Sequence, residues 1–375
     1  MMCWLSIGTC WGQTSWTDAV LTQVANNNVR LKALAKSNEA TIAERRTENT
    51  VGETAVEYSP FYQRGVSGLA SSELIVSQEF DFPTLYGARR KSAMLQGLVL
   101  EQEYSIMKRE VLTEAANLCY DLMTTTEKAM LLKQRMAAAD SLLAICNRRM
   151  EHGDATAMEL NRVRMDRMNI MTEAVKNDGE TLRIKTELQR MGVEVMPTDD
   201  EIMANTGAIT LNTQKGQEEM LAETTVKMAK QDVRIQQQSW LPRLTVGYRR
   251  NTEVRESLNG FLVGVSMPLF SNKSKVKAAR MRQAATEAEQ QTVCQEKKSK
   301  QQRLAAEAAT LENLVKTYDT ELMTQTLKTL MMAVGGGEIS IAEYYIEADR
   351  IYSCMAEHIE AKNNLNKVTT ELWNY

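Results

Sequence analysis

The sequence predicts a mainly α chain with a small β part, in which long helical hairpins and paired strands occur twice. Three observations predict this. First, an apolar stripe runs from Leu100 through Tyr104, Met107, Val111, Ala115, Leu118 and Leu122 to Cys146 and Met150, stepping by three and four without a slip. Only Thr125 along it is clearly polar, and no Pro or Gly interrupts it between Gly97 and Gly153. Counted from near Tyr86, the stripe is one helix of about 65 residues, or about 100 Å, against about 11–12 residues for an average helix. Second, the segment that ends it, Gly153-Asp154-Ala155-Thr156-Ala157-Met158-Glu159-Leu160, returns about 184 residues later as Gly337-Glu338-Ile339-Ser340-Ile341-Ala342-Glu343-Tyr344. Third, each half carries strand-like runs before its long helix.

Taken in order, residues 1–12 read as a degraded or partial signal peptide, with small residues before Gly12 and no basic n-region. A first repeat is expected over residues 16–192. Its opening helix runs from 16 to about 57, with Val20, Leu21, Val24, Leu31 and Leu34 on one face, and Tyr58-Ser59-Pro60 stops it. Gly65, Ser67 and Gly68 then mark a turn, and Glu73 to Pro83 reads as a strand with a Pro stop. The long helix follows, then the tip at Gly153. A second helix with Leu160, Val163, Ile170, Ala174, Leu182 and Leu188 ends near Met191-Gly192.

A polar connector is expected at residues 193–215, and a second repeat at 216–373. Its helix runs from about Gln217 to Gln238 and stops at Leu241-Pro242. Arg243–Arg250 and Gly260–Phe270 read as strands, joined by a loop holding Glu253, Arg255, Glu256, Ser257 and Asn259. A helix of about 60 residues runs to Val334, Gly335-Gly336-Gly337 breaks it, and a last helix reaches about Leu372.

Composition excludes several classes. The net charge of −3 leaves no basic footprint for nucleic acid. No apolar run reaches the about 18 residues of a membrane-spanning helix. The six cysteines are scattered singly, so neither a zinc site nor a redox motif is expected; Cys119 and Cys146 sit on or beside the stripe as small core residues. His152 and His358 are the only histidines and have no visible partner cluster for a metal, which makes His152 a solvated tip residue and His358 a surface or seam residue. The three glycines follow a helix rather than a strand, so they form no phosphate loop. No nucleophile–base arrangement is present, and no catalytic residue or cofactor is expected.

The strands run to about ten residues, and about 9–11 tilted residues cross a bilayer in a barrel. Two hairpins give four strands, whereas single-chain barrels need about eight or more. Either the strands form a small soluble sheet, or several chains pool them into one barrel. The Gln283–Gln302 stretch is mostly Ala, Gln, Glu and Lys, with Val293 its only large aliphatic residue. That suits a helix wetted on two faces, in the wall of a water-filled tube or in an ordinary coiled coil.

These segments together resemble the TolC family of bacterial outer-membrane efflux channels. The resemblance rests on Ser77-Gln78-Glu79-Phe80-Asp81-Phe82 with Ala88-Arg89, Gly153 to Leu160, Ser239 to Leu244, Val263 to Phe270, and Gly337 to Ser340, and it covers residues 16 to 373. It implies a homotrimer in which each chain gives four strands to an outer-membrane barrel, surrounded by outer-membrane lipid, and two helical hairpins to a periplasmic tunnel. It further implies a passive duct for small molecules or ions, docked on a periplasmic adaptor (membrane fusion) protein and an inner-membrane pump. The tips, with Gly153, Asp154, Thr156, Gly337, Glu338 and Ser340, are then the adaptor-docking residues. Glu343 falls where family members often carry an acidic residue at the periplasmic constriction, Glu159 is its counterpart in the first repeat, and Glu347 follows Glu343 on the same helix face. A ring of carboxylates there would select cations; the plainer reading of Glu343 and Glu347 is a solvated helix face. The alternative to a channel is a structural coiled-coil scaffold without transport activity, which would have no use for the strands.

Overall fold

The structure, a computed structural model, describes residues 15–47, 49–62, 64–65, 68–204, 209, 211, 216–253, 256–267 and 272–374. The signal-like residues 1–12, Ser67, Arg255, the Pro268–Phe270 end of the last predicted strand and much of the connector lie outside these. Nine helices and four strands are described: α1 (Trp16–Asn27), α2 (Val29–Thr47), β1 (Thr54–Phe61), β2 (Ser71–Phe80), α3 (Pro83–Glu151), α4 (Ala157–Arg190), α5 (Asp199–Ala204), α6 (Gln217–Gln238), β3 (Arg243–Glu253), β4 (Ser257–Ser266), α7 (Asn272–Thr317), α8 (Thr320–Gly336) and α9 (Ile341–Trp373). The long helix is real: α3 spans 69 residues, with Pro83 at its first position, where a missing N–H costs nothing.

Four expectations need correction. The opening helix is two helices, because Asn28 interrupts it. Its side-chain oxygen accepts the Leu31 N–H at 3.2 Å, capping α2, while its amide donates to the Met191 carbonyl at 3.2 Å. That opening helical stretch also ends at Thr47, not near residue 57, and Tyr58-Ser59-Pro60 lies inside β1. Pro60 is tolerated there because β1 is an edge strand, paired only with β2. The helix predicted to run unbroken to Val334 is divided at Tyr318-Asp319, where the Asp319 carboxylate accepts the Leu322 N–H at 2.9 Å and caps α8. The connector contains the short helix α5, started by a reciprocal pair: Thr198 N–H donates to Glu201 at 2.8 Å and Glu201 N–H to Thr198 Oγ1 at 3.4 Å.

The chain divides into two compact units. One comprises Met1–Lys32, Met107–Lys215 and Lys298–Tyr375; the other comprises Ala33–Ile106 and Gly216–Lys297. In the first, α3 is buried on several sides, with Ala115, Ala116, Cys119, Tyr120 and Leu122 all inside, and Val24, Ile170, Ile184 and Leu188 of this unit are buried as well. The polar exception in the stripe, Thr125, is buried as well, and its hydroxyl is satisfied by the Leu122 carbonyl at 3.1 Å. Tyr120 ties the connector down: its hydroxyl pairs with Thr370 Oγ1 at 2.8 Å and accepts the Ile209 N–H at 2.6 Å. Burial pushes the Tyr120 phenol up.

The second unit holds one antiparallel sheet in the order β1-β2-β3-β4. Beside it Leu85, Ala88, Leu95 and Val99 of α3 and Val226 and Val233 of α6 are buried, and Gln231 donates to the Ala88 carbonyl at 3.0 Å. Asp81 closes the passage from sheet to helix. Its carboxylate takes Arg89 of α3 at 2.8 Å and Arg243 of β3 at 3.1 Å, and its N–H donates to the Tyr86 hydroxyl at 3.1 Å. In α7 no residue from 280 to 303 is buried, as its Ala, Gln, Glu and Lys content requires.

Gly192 has two reasons to be glycine. Its φ is +105°, and a Cβ there would stand 2.9 Å from the Asn27 carbonyl carbon. Gly179 lies inside α4 with open space around it. Gly192→Ala is therefore expected to destabilise the chain by about 1–3 kcal/mol. Gly179→Ala is expected to stabilise it by about 0.5–1 kcal/mol. Denaturation midpoints of the two variants check the opposite signs.

Candidate functional site

Both helical tips belong to the first unit, and local sequence builds them alike. Gly153 and Gly337 each take φ +80°, which turns the next N–H back into the helix just ended. Asp154 N–H thus reaches the Arg149 carbonyl at 2.8 Å, and Glu338 N–H the Ala333 carbonyl at 2.9 Å. Each following helix opens with a capping box. Thr156 N–H donates to Glu159 Oε2 at 2.8 Å and Glu159 N–H to Thr156 Oγ1 at 3.2 Å. Ser340 N–H donates to Glu343 Oε2 at 2.8 Å and Glu343 N–H to Ser340 Oγ at 3.2 Å. The bond from the Ser340 N–H holds the Glu343 carboxyl below its usual range. Asp154, Thr156, Glu338, Ser340 and Glu347 are exposed, Glu159 is partly covered, and His152 is exposed as expected. His358 packs its ring 5.5 Å from that of Tyr318.

The tips sit side by side. Arg149 of α3 donates to the Val334 carbonyl of α8 at 2.7 Å, and a Cβ on Gly337 would meet the same guanidinium at 3.1 Å. Beneath them Leu142 and Cys146 of α3, Leu160 and Val163 of α4, Val334 of α8, and Ile341, Tyr344, Ala348 and Tyr352 of α9 form one core. At its border Arg135 of α3 serves three carboxylates: Asp166 of α4 at 3.3 Å, Glu173 of α4 at 3.5 Å and Asp349 of α9 at 3.1 Å. Its guanidinium also lies 5.4 Å over the Tyr352 ring. Burial pushes the Asp166 carboxyl up, and Arg135 works against that. Burial likewise raises the phenols of Tyr344, Tyr345 and Tyr352. Arg162 stands 5.8 Å over the Tyr345 ring.

The sheet of the second unit has one apolar face, and it is bare. Residues paired across an antiparallel ladder point to the same side. The register sets Val56 against Val76, Val76 against Tyr248, Phe80 against Leu244, Val246 against Val263 and Leu244 against Val265. These share a face with Tyr58, Leu74 and Phe261. Phe261 is 90% exposed, Val263 73% and Val265 63%. The opposite face carries Glu57, Ser59, Glu73, Ser77, Glu79, Thr245, Arg249 and Asn251, and Arg249 pairs there with Glu73.

Among the described residues no helix is long and apolar enough to cross a membrane, and no cluster of His, Cys, Asp or Glu is arranged to hold a metal. No family model matches the sequence, and no curated protein does. Solved structures do. A membrane protein from Pseudomonas aeruginosa superposes with a TM-score of 0.78 at 14% identity, over 96% of this chain and 89% of that one. The transmembrane channel CusC gives 0.76 at 12% identity, over 97% and 95%. The open state of the Neisseria gonorrhoeae MtrE outer-membrane channel gives 0.76 at 12% identity, over 96% and 90%.

The chain has the fold of TolC-type outer-membrane channels. On this fold the predicted tip residues fall at two adjacent helix–helix turns, and Glu159 and Glu343 each spend a carboxylate oxygen on a helix start. Sequence reading had missed Arg135 and its three acids, whose signal lies in charges scattered over three helices. The Asp81 junction also gives no sequence signal of its own, although Asp81 and Arg89 both lie in the stretch that carries the family resemblance.

Removing the Arg135 charge leaves Asp166 as a part-buried carboxylate without its main cation. Arg135→Met is expected to cost about 1–2 kcal/mol at neutral pH, less than a fully buried pair would because two of the three acids are more than half exposed. The Asp166 pKa, already raised, rises further in the variant. Its folded state then takes up a proton sooner than the unfolded chain, so the deficit shrinks as pH falls through that raised value. Melting curves of both proteins between pH 8 and pH 5 check the sign.

Proposed function

We infer that this chain is the outer-membrane channel component of a tripartite efflux assembly. It acts as a homotrimeric, passive duct that carries small molecules or ions from periplasm to exterior. It lies in the outer membrane with a large periplasmic part, works with a periplasmic adaptor and an inner-membrane pump, and has no catalytic centre. Residues 16–192 and 216–373 act as two structural repeats joined by the connector at 193–215.

The observation that carries this reading is the bare apolar face of a sheet with two unpaired edges. Strands of 8, 10, 11 and 10 residues suit the about 9–11 residues that cross a bilayer in a barrel. Only a closed barrel leaves no backbone donor unpaired in lipid, and four strands do not close. Copies of the chain joined edge to edge satisfy β1 and β4 and turn the face of Val76, Val246 and Val265 to lipid. Trp240 and Tyr62, both exposed, stand at opposite ends of the sheet, where aromatic residues mark the two interfaces. A coiled-coil scaffold explains none of these features.

The side-chain alternation makes the barrel testable. Val263→Arg and Val265→Arg place charge on the lipid face and are expected to cost about 2–4 kcal/mol at mid-bilayer, with loss of heat-modifiable trimers from the outer membrane. Leu262→Arg, on the other face, is expected to keep them. Equal trimer yield from all three variants overturns the barrel.

At the tips, Gly153, Asp154, Thr156, Gly337, Glu338 and Ser340 form the adaptor-docking surface, supported by the exposure of their turns. Glu343 and Glu347, with Glu159 nearby in the first repeat, line the constriction; three copies gather their carboxylates at one level and favour cations. Glu343→Gln with Glu347→Gln is expected to weaken cation selectivity and multivalent-cation block in single-channel recordings. Ser340→Ala, which loosens the same cap without changing charge, is expected to leave both intact. Asp154→Lys with Glu338→Lys is expected to stop export in cells while outer-membrane trimers persist. Unchanged selectivity rejects the constriction, and unchanged export rejects the docking surface.

A further inference from the structure

The apolar face of the sheet carries a single charge. Of the strand residues that the ladders put on that face, Arg250 is the only charged one, and none is acidic. The strand acids Glu57, Glu73, Glu79 and Glu253 all lie on the opposite face. Arg249, the next residue, points there too and is paired with Glu73. Arg250 is exposed and, among the described residues, has no ion-pair partner. Gln78, a polar residue of the same face, is already provided for: it accepts the Thr54 hydroxyl at 2.5 Å and donates to the Gly52 carbonyl.

The place of Arg250 on the sheet is specific. Strands leave α2 and α6 and return to α3 and α7 at one end, so the β1–β2 and β3–β4 turns mark the other end. Arg250 stands near the turn end, directly across from Asn259. In the next row toward the helices Tyr248 faces Phe261, with ring centroids 6.5 Å apart and edge to face. Val246 with Val263 and Leu244 with Val265 continue the column. The step from Arg250 to Leu244 is roughly 20 Å of strand. A polar row thus tops an aromatic row and two aliphatic rows on the same pair of strands. With the turns outward, a lipid of the outer leaflet has the same order, head group above acyl chain.

An arginine on the lipid face is costly at mid-bilayer and tolerated near the interface, where its head can rise to polar groups. A second copy does not supply the counter-charge. Joining β4 to the β1 edge of another copy brings Thr54, Val56, Tyr58 and Pro60 to this face, and none of them is acidic. We propose that Arg250, with Asn259 beside it, binds the phosphate of an anionic lipid in the outer leaflet, while Tyr248, Phe261 and Val263 hold the upper part of an acyl chain. Arg–phosphate pairing is charge-assisted, so raised salt weakens it. This proposal rests on the channel reading, because it needs the sheet to sit in a bilayer with its turns outward.

The test uses the full chain purified as its detergent-solubilised oligomer. Short-chain phosphatidic acid, diacylglycerol of the same chain length and inorganic phosphate are titrated in parallel, with bound molecules read by native mass spectrometry. Arg250→Gln is compared with Arg249→Gln, which removes the adjacent charge from the opposite face. The expected result is tighter binding of phosphatidic acid than of diacylglycerol, by roughly tenfold, lost in Arg250→Gln, kept in Arg249→Gln and reduced by salt. Equal affinity for the two lipids, an unchanged Arg250→Gln, the same loss in Arg249→Gln, or an equal response to inorganic phosphate overturns the proposal. So does dissociation of the Arg250→Gln oligomer into single chains, which would make Arg250 a contact between copies. Failure of the wild-type chain to insert into phospholipid vesicles rejects the channel reading itself; insertion without preference for the phosphate-bearing lipid rejects only the lipid site.

Discussion

Unpaired backbone hydrogen-bonding groups on the outer sides of β1 and β4 are what the rest of this structure has to answer. A four-stranded antiparallel sheet with its apolar side chains on one face has no stable resting place alone in water: the face stays wet, and the edges invite pairing. Among the described residues no helix covers that face. Instead Phe261, Val263 and Val265 are left among its most exposed apolar residues. Such a sheet makes sense where lipid replaces water and another copy supplies each edge, and the polar opposite face, with Glu73 and Arg249 paired, then lines a wet interior.

The helices meet a related constraint at their ends. A helix of 69 residues leaves only a few orphan donors and acceptors, but it leaves them at turns. Left-handed glycines and capping boxes take care of these groups at both tips, and they explain why the two turn sequences look alike. The same carboxylates assigned to the constriction, Glu159 and Glu343, are held in place by the backbone they cap. Arg135 adds a charged tie among α3, α4 and α9 next to the tip core, where one cation offsets three acids.

Much of this was legible in the chain. The stripe from Leu100 to Met150 specifies a helix because nothing along it can stop one, and the turns at Gly153 and Gly337 announce themselves through glycine followed by a hydroxyl and a glutamate at capping spacing. The strand pair of the second half and strand β2 of the first were visible from length and Pro stops. The breaks at Asn28 and Asp319 were not, since a capping residue inside a periodic run does not disturb the period. Strand β1 was hidden for a similar reason: Pro60 reads as a helix stop and only its edge position makes it a strand residue.

Local chemistry thus determined the long helix α3, the two tips and three of the strands, because each depends on residues within a few turns of one another. Tertiary structure alone decided the rest. The register chose which strand face is apolar, since a shift by one residue would exchange the two faces. Packing brought the tips together through Arg149 and Val334 and gave Arg135 its acids from α4 and α9. These contacts join residues far apart in sequence, and no spacing along the chain encodes which distant charge or carbonyl a side chain will meet.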